Sequence, residues 1–526
     1  MKPRDALLAA CLGAATSLPL VALYYFGNRV AALPFVPFDV FDWLARTLPG
    51  GLITLFIEAL VAAIGVLGLG SIGDTAKTIE QLLAVGLLVA TGAALGLAIA
   101  WLGGRGLGSA WRLGLAGGAL LALGAIVVES RLGNIAGSPA LLWLILPPVA
   151  WGALLGLAVE RGLAPAVREA PSHEARLSRR SLLLKLLGGS VGLALALFGL
   201  GNLPRREQGE VAAERPLPEP LRTLPTPPPG RIEPAPTARP EVTPTDEFYR
   251  IDINLQPVVV NESSWRLEVS GLFDRPRPLS LADLMAFPAV TVPMTLSCIS
   301  NPVGGDLIGN AYWTGLRLRD LLGDLGLRQE AKGLLLRAAD GFYESVTPAD
   351  MFDARTLLVY GMNGSLLTPE HGFPLRILIP DRYGMKQPKW ITSLEALDRL
   401  VDGYWPVRGW SEEALVQIMS QIDPVDTRKA REGQVTLGGI AWAGAQGISK
   451  VEVQVDNGPW QEAELRVPPL GPLAWTQWRY EWRDIGPGSH VLRVRATDGK
   501  GNRQIERRAD PHPDGATGYD AVSVYQ

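Results

Sequence analysis

Apolar residues are distributed very unevenly along this chain: the long apolar runs all lie before residue 203, and later stretches alternate in short periods. Six charge-poor runs, near 6–26, 51–70, 81–102, 111–128, 139–159 and 181–201, each approach the ~20 residues that cross a bilayer core. Six such runs in succession would expose more apolar surface than a soluble protein covers, so residues 1–202 are expected to form a six-helix transmembrane region. From Phe248 the pattern shortens. "SSWRLEVSGLF" puts Trp265, Leu267 and Val269 on one face of a strand, and "TGLRLRDLLGDLGL" spaces Leu316, Leu318, Leu321, Leu322 and Leu325 as a helix does. These signals predict an α+β domain over 245–415. In the last hundred residues, "ISKVEVQVDNGPW" alternates Val451, Val453 and Val455 before an Asp-Asn-Gly turn, and "HVLRVRATDGKGN" alternates Leu492, Val494 and Ala496. Short strands with such turns predict an immunoglobulin-like β-sandwich over 416–526.

Charge then orients the apolar part, because Lys and Arg accumulate in loops that remain in the cytoplasm. The N-terminal tail and alternate loops carry four basic residues (Lys2, Arg4, Lys77 and Arg131). The other loops carry ten: Arg29, Arg46, Arg105, Arg112, Arg161, Arg168, Arg176, Arg179, Arg180 and Lys185. The expectation is a multi-pass plasma-membrane protein whose N-terminus and everything after residue 203 lie outside the cytoplasm. The segment 178–185, "SRRSLLLK", combines a basic pair with a following apolar stretch and is similar to an internal twin-arginine export signal. Residues 203–244 are dense in Pro and too polar to build a core, which predicts an extended, semi-rigid spacer.

Of two cysteines, Cys11 falls in the first apolar run, so Cys298 in "TLSCISNPVGGD" has no disulfide partner in the later domains. Such a thiol is either buried and inert or held by something that uses the thiolate. The four histidines, His173, His371, His490 and His512, supply no imidazole pair for a membrane b-type haem, and no CxxCH site is present. No haem is therefore expected in this chain, and electrons would pass to or from a separate partner, cytochrome or quinone-linked.

Several segments, in order, carry a specific resemblance: "TPTDEFYRID" (243–252), "TLSCISNPVGGDLIGNAYWTGLRLRDLL" (295–322), "GMNGSLLTPEHGFPLRILIP" (361–380), "YGMKQPKW" (383–390) and, near the end, "GATGYDAVSVY". Residues 243–526 resemble the sulfite oxidase family of molybdopterin enzymes, with its catalytic domain and C-terminal dimerisation domain. The resemblance implies that Cys298 gives a thiolate to molybdenum, completing a sulfur-rich shell with the two dithiolene sulfurs of the pterin. It further implies pterin contacts at Tyr249, Arg250, Asp340, His371, Arg376, Gln387 and Lys389. Arg376 and Lys389 suit the pterin phosphate, and His371 and Asp340 suit its ring edges. A homodimer is implied in the same way, and no nucleic-acid partner is expected.

The chain also departs from that family. Val303 stands where sulfite oxidases place an arginine five residues after the cysteine, Trp410 aligns with their substrate tyrosine, and "AGAQGIS" (443–449) holds no arginine. Losing cationic donors, worth ~1.5–3 kcal/mol each, disfavours a bound dianion such as sulfite. The expected function is membrane-anchored, extracytoplasmic two-electron oxygen-atom transfer on a small oxo-acceptor or oxo-donor. Its alternatives are a sulfoxide or N-oxide reductase of the same family, or a cofactor-free anchored binding module.

Overall fold

A computed structural model describes residues 3–31, 33–67, 70–132, 137–163, 173–202, 215–426, 434–483 and 485–525. Contacts divide the chain into two compact units, residues 1–48 with 77–211 and residues 49–76 with 212–526.

Among the described residues, seven helices occupy the first two hundred positions: α1 (Pro3–Ala31), α2 (Val36–Thr47), α3 (Gly50–Leu67), α4 (Ile72–Gly104), α5 (Ala110–Leu132), α6 (Gly137–Leu163) and α7 (His173–Gly201). In the first unit, glycines bring backbones together. Gly114 and Gly118 of α5 lie against Gly152 and Pro148 of α6, and Gly13 of α1 lies against Gly92 of α4, where a Cβ would collide with backbone. Such close approach is how helices gain packing energy where neither water nor lipid favours one apolar surface over another.

Among the described residues, four of these helices are long and apolar enough to cross a membrane: Pro3–Ala31, Thr75–Gly104, Ala110–Leu132 and Gly137–Gly162. The count becomes five if Val36–Thr47 and Gly50–Ile64 together make one span. Six spans were expected, and the sixth run, at 181–201, lies partly outside the described residues. The run 51–70 falls on α3, whose described part Gly50–Ile64 enters that count only together with α2. At 181–201, Gly188–Gly201 is apolar but shorter than a span among the described residues. The basic pair of 178–185 lies on the α7 backbone, with its side chains outside the described residues.

In the second unit, one sheet orders Glu268–Gly271, Ile391–Leu397, Gly333–Ala338 and Tyr343–Val346. Another orders Ala289–Ser297, Ile308–Arg317, Leu357–Met362 and Ser365–Leu366, with Arg376–Leu378 added beside Leu357–Met362. Alternation works as expected: Trp265, Leu267 and Val269 are buried, and so are Leu316, Leu318, Leu321, Leu322 and Leu325. The helix itself is Leu318–Leu325, Leu316 being the last apolar residue of the preceding strand. Together they form one core with Trp313, Leu358 and Ile377.

After residue 416 come two four-stranded antiparallel sheets. They run Met419–Ile422, Gln434–Trp442, Thr476–Arg483, Glu464–Leu465 and Gln461–Glu462, Ile448–Val455, Ser489–Asp498, Asp520–Tyr525. Val451, Val453, Leu492, Val494 and Ala496 meet Leu437 and Trp478 between them.

The Pro-rich stretch differs from the expected spacer. Residues 203–214 lie outside the described residues, but 215–244 are bound along their length. Leu217 and Ala235 are buried, Arg231 pairs with Glu241 at 2.5 Å, Arg239 pairs with Asp423 at 2.7 Å, and Thr243 N–H donates to Asn310 O. An extended Pro-rich backbone leaves its carbonyls unpaired, and the second unit uses them: Trp475 Nε1 donates to Glu241 O and Gln477 Nε2 to Arg239 O.

Candidate active site

The strand Ala289–Ser297 delivers Cys298 to the start of a ten-residue connection that returns as Ile308–Arg317. That connection is internally braced. Cys298 N–H donates to Leu307 O (2.9 Å), Asn301 N–H to Cys298 O (3.1 Å), and Asn301 Oδ1 accepts from Leu307 N–H (2.9 Å). Gly304 has φ +76°, and a Cβ there would stand 2.6 Å from Asp520 Oδ1, so glycine is required twice over. The later domain grips the same loop: Gln421 Nε2 donates to Gly304 O (3.0 Å), and Asp520, held within its own domain by Ile422 N–H (2.9 Å), lies against Gly304.

Cys298 is buried, with Ser300 Oγ 2.9 Å from its sulfur. Burial pushes the thiol up, and hydrogen bonds from Ser300 and the backbone at Ile299 and Ser300 offset part of this. The isolated side chain is therefore a neutral thiol at pH 7, and a soft metal would have to displace its proton. Among the described residues no group of three or more His, Cys, Asp and Glu side chains could hold a metal ion, so a metal at Cys298 needs further donors from a non-protein group.

A group of cations forms the second half of the site. Arg250 Nε meets Asp252 Oδ2 at 2.5 Å, and Lys389 Nζ bonds the other oxygen of the same carboxylate and also Glu370 O (2.9 Å). Arg376 is buried over the Trp313 ring, 5.1 Å from its centroid. Its hydrogen bond runs from Nη1 to His371 O (3.3 Å), and its Nε is buried with no partner. Burial lowers the Arg376 pKa to about 10. Arg250, Arg376 and Lys389 thus gather around one carboxylate, Asp252, leaving a local excess of positive charge in a largely buried site. That arrangement suits an anionic group with several acceptor oxygens.

His371 accompanies them. Its Nε2 lies 2.7 Å from Thr245 O, and a carbonyl only accepts, so the ring proton sits on Nε2 and Nδ1 is left as an acceptor. Burial, then the Lys389 and Arg376 charges, push its pKa down to about 4. Phe248 connects these parts, stacking on Tyr249 and meeting Trp313 and His371 edge-on. Burial raises the Tyr249 hydroxyl, and the nearby Cys298 adds to the effect while Arg376 opposes it. Tyr249 therefore neighbours both Cys298 and Arg376, and Lys389 neighbours Arg376, Arg250 and His371.

Asp340 and Gln387 are placed differently. Asp340 is buried in the turn after Gly333–Ala338, where it accepts from Phe342 N–H (2.9 Å); the adjacent Ala339 N–H bonds Trp390 O beside Lys389. Gln387 spends its amide on backbone, donating to Arg382 O (2.8 Å) and accepting from Ile379 N–H (3.3 Å), which fixes the loop between those residues. Sequence reasoning did not single out Asp252, the counter-charge of the group, or Tyr383, whose hydroxyl is pushed up to about 12 by burial and then by the neighbouring Cys298. Asp252 lies inside the quoted "TPTDEFYRID" segment, and an acid two residues from Arg250 was the available signal.

Residues 254–405 match the oxidoreductase molybdopterin binding domain. An uncharacterized oxidoreductase of Bacillus subtilis, YuiH, is 33% identical over 154 residues, which is 29% of this chain and 76% of that protein. The chain belongs to the sulfite oxidase family of molybdopterin oxidoreductases. The sulfite oxidase of Arabidopsis thaliana is 29% identical over 273 residues, 42% of this chain and 70% of that one. The mitochondrial sulfite oxidase of Mus musculus is 31% identical over 342 residues, and there the chain spans 62% of the relative's length. The site fits the family's cofactor on its own chemistry. Cys298 is a buried single thiol, and the unpartnered Arg376 Nε with its surplus of cations awaits an anion such as the pterin phosphate.

Proposed function

We propose that this molybdopterin oxidoreductase is anchored in the plasma membrane, works outside the cytoplasm, and transfers an oxygen atom between a small neutral substrate and water while exchanging two electrons with a separate carrier. The observation that carries the reading is Arg376, a buried cation with an orphaned Nε, beside Tyr249, which also neighbours the Cys298 thiol.

In this reading the Cys298 thiolate holds molybdenum, and the bound cofactor supplies the two-electron couple and the position at which oxygen is transferred. Arg376 and Lys389 hold the pterin phosphate, and Arg250 and Asp252 keep Lys389 in place. His371, neutral near pH 7, offers Nδ1 to a ring N–H, and Asp340 accepts from another ring edge. Tyr249 donates its un-ionised hydroxyl, and Gln387 acts by holding the 379–387 loop. The immunoglobulin-like domain clamps the Cys298 loop through Gln421 and Asp520, and serves the homodimer.

A sulfoxide or N-oxide fits better than sulfite. The groups acting on Cys298 are Ser300 and backbone amides, with no cation among them, and Val303 is an alkyl group in the loop itself. A dianion would forfeit ~1.5–3 kcal/mol for each missing charged donor. The bias of ten basic residues against four supports an external position for the later domains, and the segment 178–185 would route a folded, loaded protein there. The test is turnover with artificial dyes: sulfoxide reduction by a reduced donor is expected, and sulfite oxidation as the sole activity would overturn the substrate assignment. A reporter fused after Gln526 is expected to read as external.

A further inference from the structure

Helix α3 carries Gly50, Thr54 and Glu58 at four-residue spacing, one stripe along its axis, and that stripe faces the catalytic unit. Gly50 lies against Arg408, where a Cβ would stand 2.8 Å from Arg408 Cα. Two turns on, Glu58 Oε1 is 3.9 Å from His512 Nδ1, too far for a hydrogen bond. Between them Thr54 is buried, and its Oγ1 has no partner. Helical threonines elsewhere in this chain, Thr16, Thr47 and Thr91, each donate to the carbonyl four residues back, so Thr54 departs from the local habit.

Two more orphaned groups lie beside this stripe. Trp410 is 6% exposed with an unpartnered Nε1, and its ring meets that of His512 edge-on at 5.0 Å. His512 Nε2 is likewise buried without a partner. By contrast Trp265, Trp313, Trp390, Trp475 and Trp478 all donate to backbone carbonyls. Leaving polar atoms in this state costs free energy unless something fills the space between them. Trp410 packs with Ile299 and Tyr383, both neighbours of Cys298, so its orphaned Nε1–H stands one side-chain layer from the thiol, with His512 on its other side.

We propose that Thr54 and Glu58 of α3, with Trp410 and His512, form a substrate-recognition niche for neutral oxo compounds that carry an apolar group, so the apolar helix is a working part of the site. The proposal rests on the oxygen-transfer reading of Cys298. The Thr54 hydroxyl, the Trp410 Nε1–H and the His512 ring recognise a strong acceptor oxygen such as that of a sulfoxide. The Glu58 carboxylate repels a dianion, and the exposed Leu55 and Phe56 of the same helix give an apolar approach.

The test is binding to the full-length, cofactor-loaded protein in detergent, read by fluorine NMR with 4-fluorophenyl methyl sulfoxide as probe and sulfite as competitor. Wild type should bind the sulfoxide and be indifferent to sulfite. Thr54→Val and His512→Phe should each weaken sulfoxide binding roughly three- to tenfold, the worth of one hydrogen bond. Glu58→Lys should make sulfite an effective competitor. Molybdenum content should stay at the wild-type level in all three, which separates a local effect from loss of the cofactor. Sulfoxide affinities within twofold of wild type in both donor variants, or no binding by wild type because the niche holds only water, would overturn the proposal. Binding that follows this pattern without any sulfoxide turnover would instead overturn the functional reading and leave the niche standing.

Discussion

Replacing Arg376 with Met keeps most of the side chain's length and apolar stem while removing its charge, and the consequences differ between the empty and the loaded protein. In the folded chain burial lowers the Arg376 pKa from 12.5 to about 10. The folded-state pKa lies below the unfolded one, so the cation is disfavoured by folding at every pH below that range, neutrality included. At about 1.4 kcal/mol per pH unit, the penalty is about 3 kcal/mol. Against this stand one charged hydrogen bond to His371 O and the contact over Trp313, together roughly 2–4 kcal/mol. Arg376→Met should therefore leave the cofactor-free protein nearly as stable as wild type, within roughly 1 kcal/mol. The loaded protein should respond oppositely. Two charge-assisted bonds to the pterin phosphate, at ~1.5–3 kcal/mol each, correspond to roughly a 10²- to 10⁴-fold loss of cofactor affinity. The assay is thermal unfolding in detergent, with and without cofactor synthesis in the host, alongside molybdenum content. A variant that retains stoichiometric molybdenum, or that melts far below wild type when both are empty, would refute the assignment of Arg376 as an anion ligand.

Other expectations follow from neighbouring residues. Cys298→Ser should abolish turnover while pterin is retained, because the phosphate contacts are untouched; full activity would remove the thiolate from the chemistry. Asp252→Asn strands Arg250 and Lys389 against each other, and chemical unfolding of the cofactor-free protein should register about 3–5 kcal/mol, the usual cost of breaking a buried pair. His371 is neutral in the fold with its pKa pushed down to about 4. Stability should therefore fall as pH drops from about 6.5 to about 4, by about 3 kcal/mol from this residue, and His371→Asn should flatten the curve by that amount. An unchanged pH profile in that variant would place the titration elsewhere.

Much of this architecture was legible in the order of residues. Alternation at Trp265, Leu267 and Val269, and again at Leu492, Val494 and Ala496, marks faces that the structure buries. The loop around Cys298 announces itself by Gly304, whose positive φ no alternation pattern encodes but whose residue type suggests it. Two features were not legible. The run 51–70 reads as a span by hydropathy, because Thr54 and Glu58 are too few to offset its Leu and Ile; only the fold reveals that Gly50 lies against Arg408 and Glu58 near His512. The Pro-rich stretch reads as a spacer because it lacks apolar residues for a core. It is held instead by two buried side chains, Leu217 and Ala235, and by the pairs Arg231–Glu241 and Arg239–Asp423, whose partners lie at sequence separations that composition ignores. Likewise the charge of Arg250 and Lys389 was visible, but its sharing of Asp252 depends on a fold that joins residues 137 apart.

The central claim is that the buried cations and Cys298 together hold one molybdopterin. Metal and pterin quantification on the purified full-length protein tests it most directly. The account predicts one molybdenum and a matching amount of phosphate-bearing pterin per chain, with the pterin lost in Arg376→Met and kept in Cys298→Ser. Purified wild-type protein carrying neither, from a host that makes the cofactor, would contradict it.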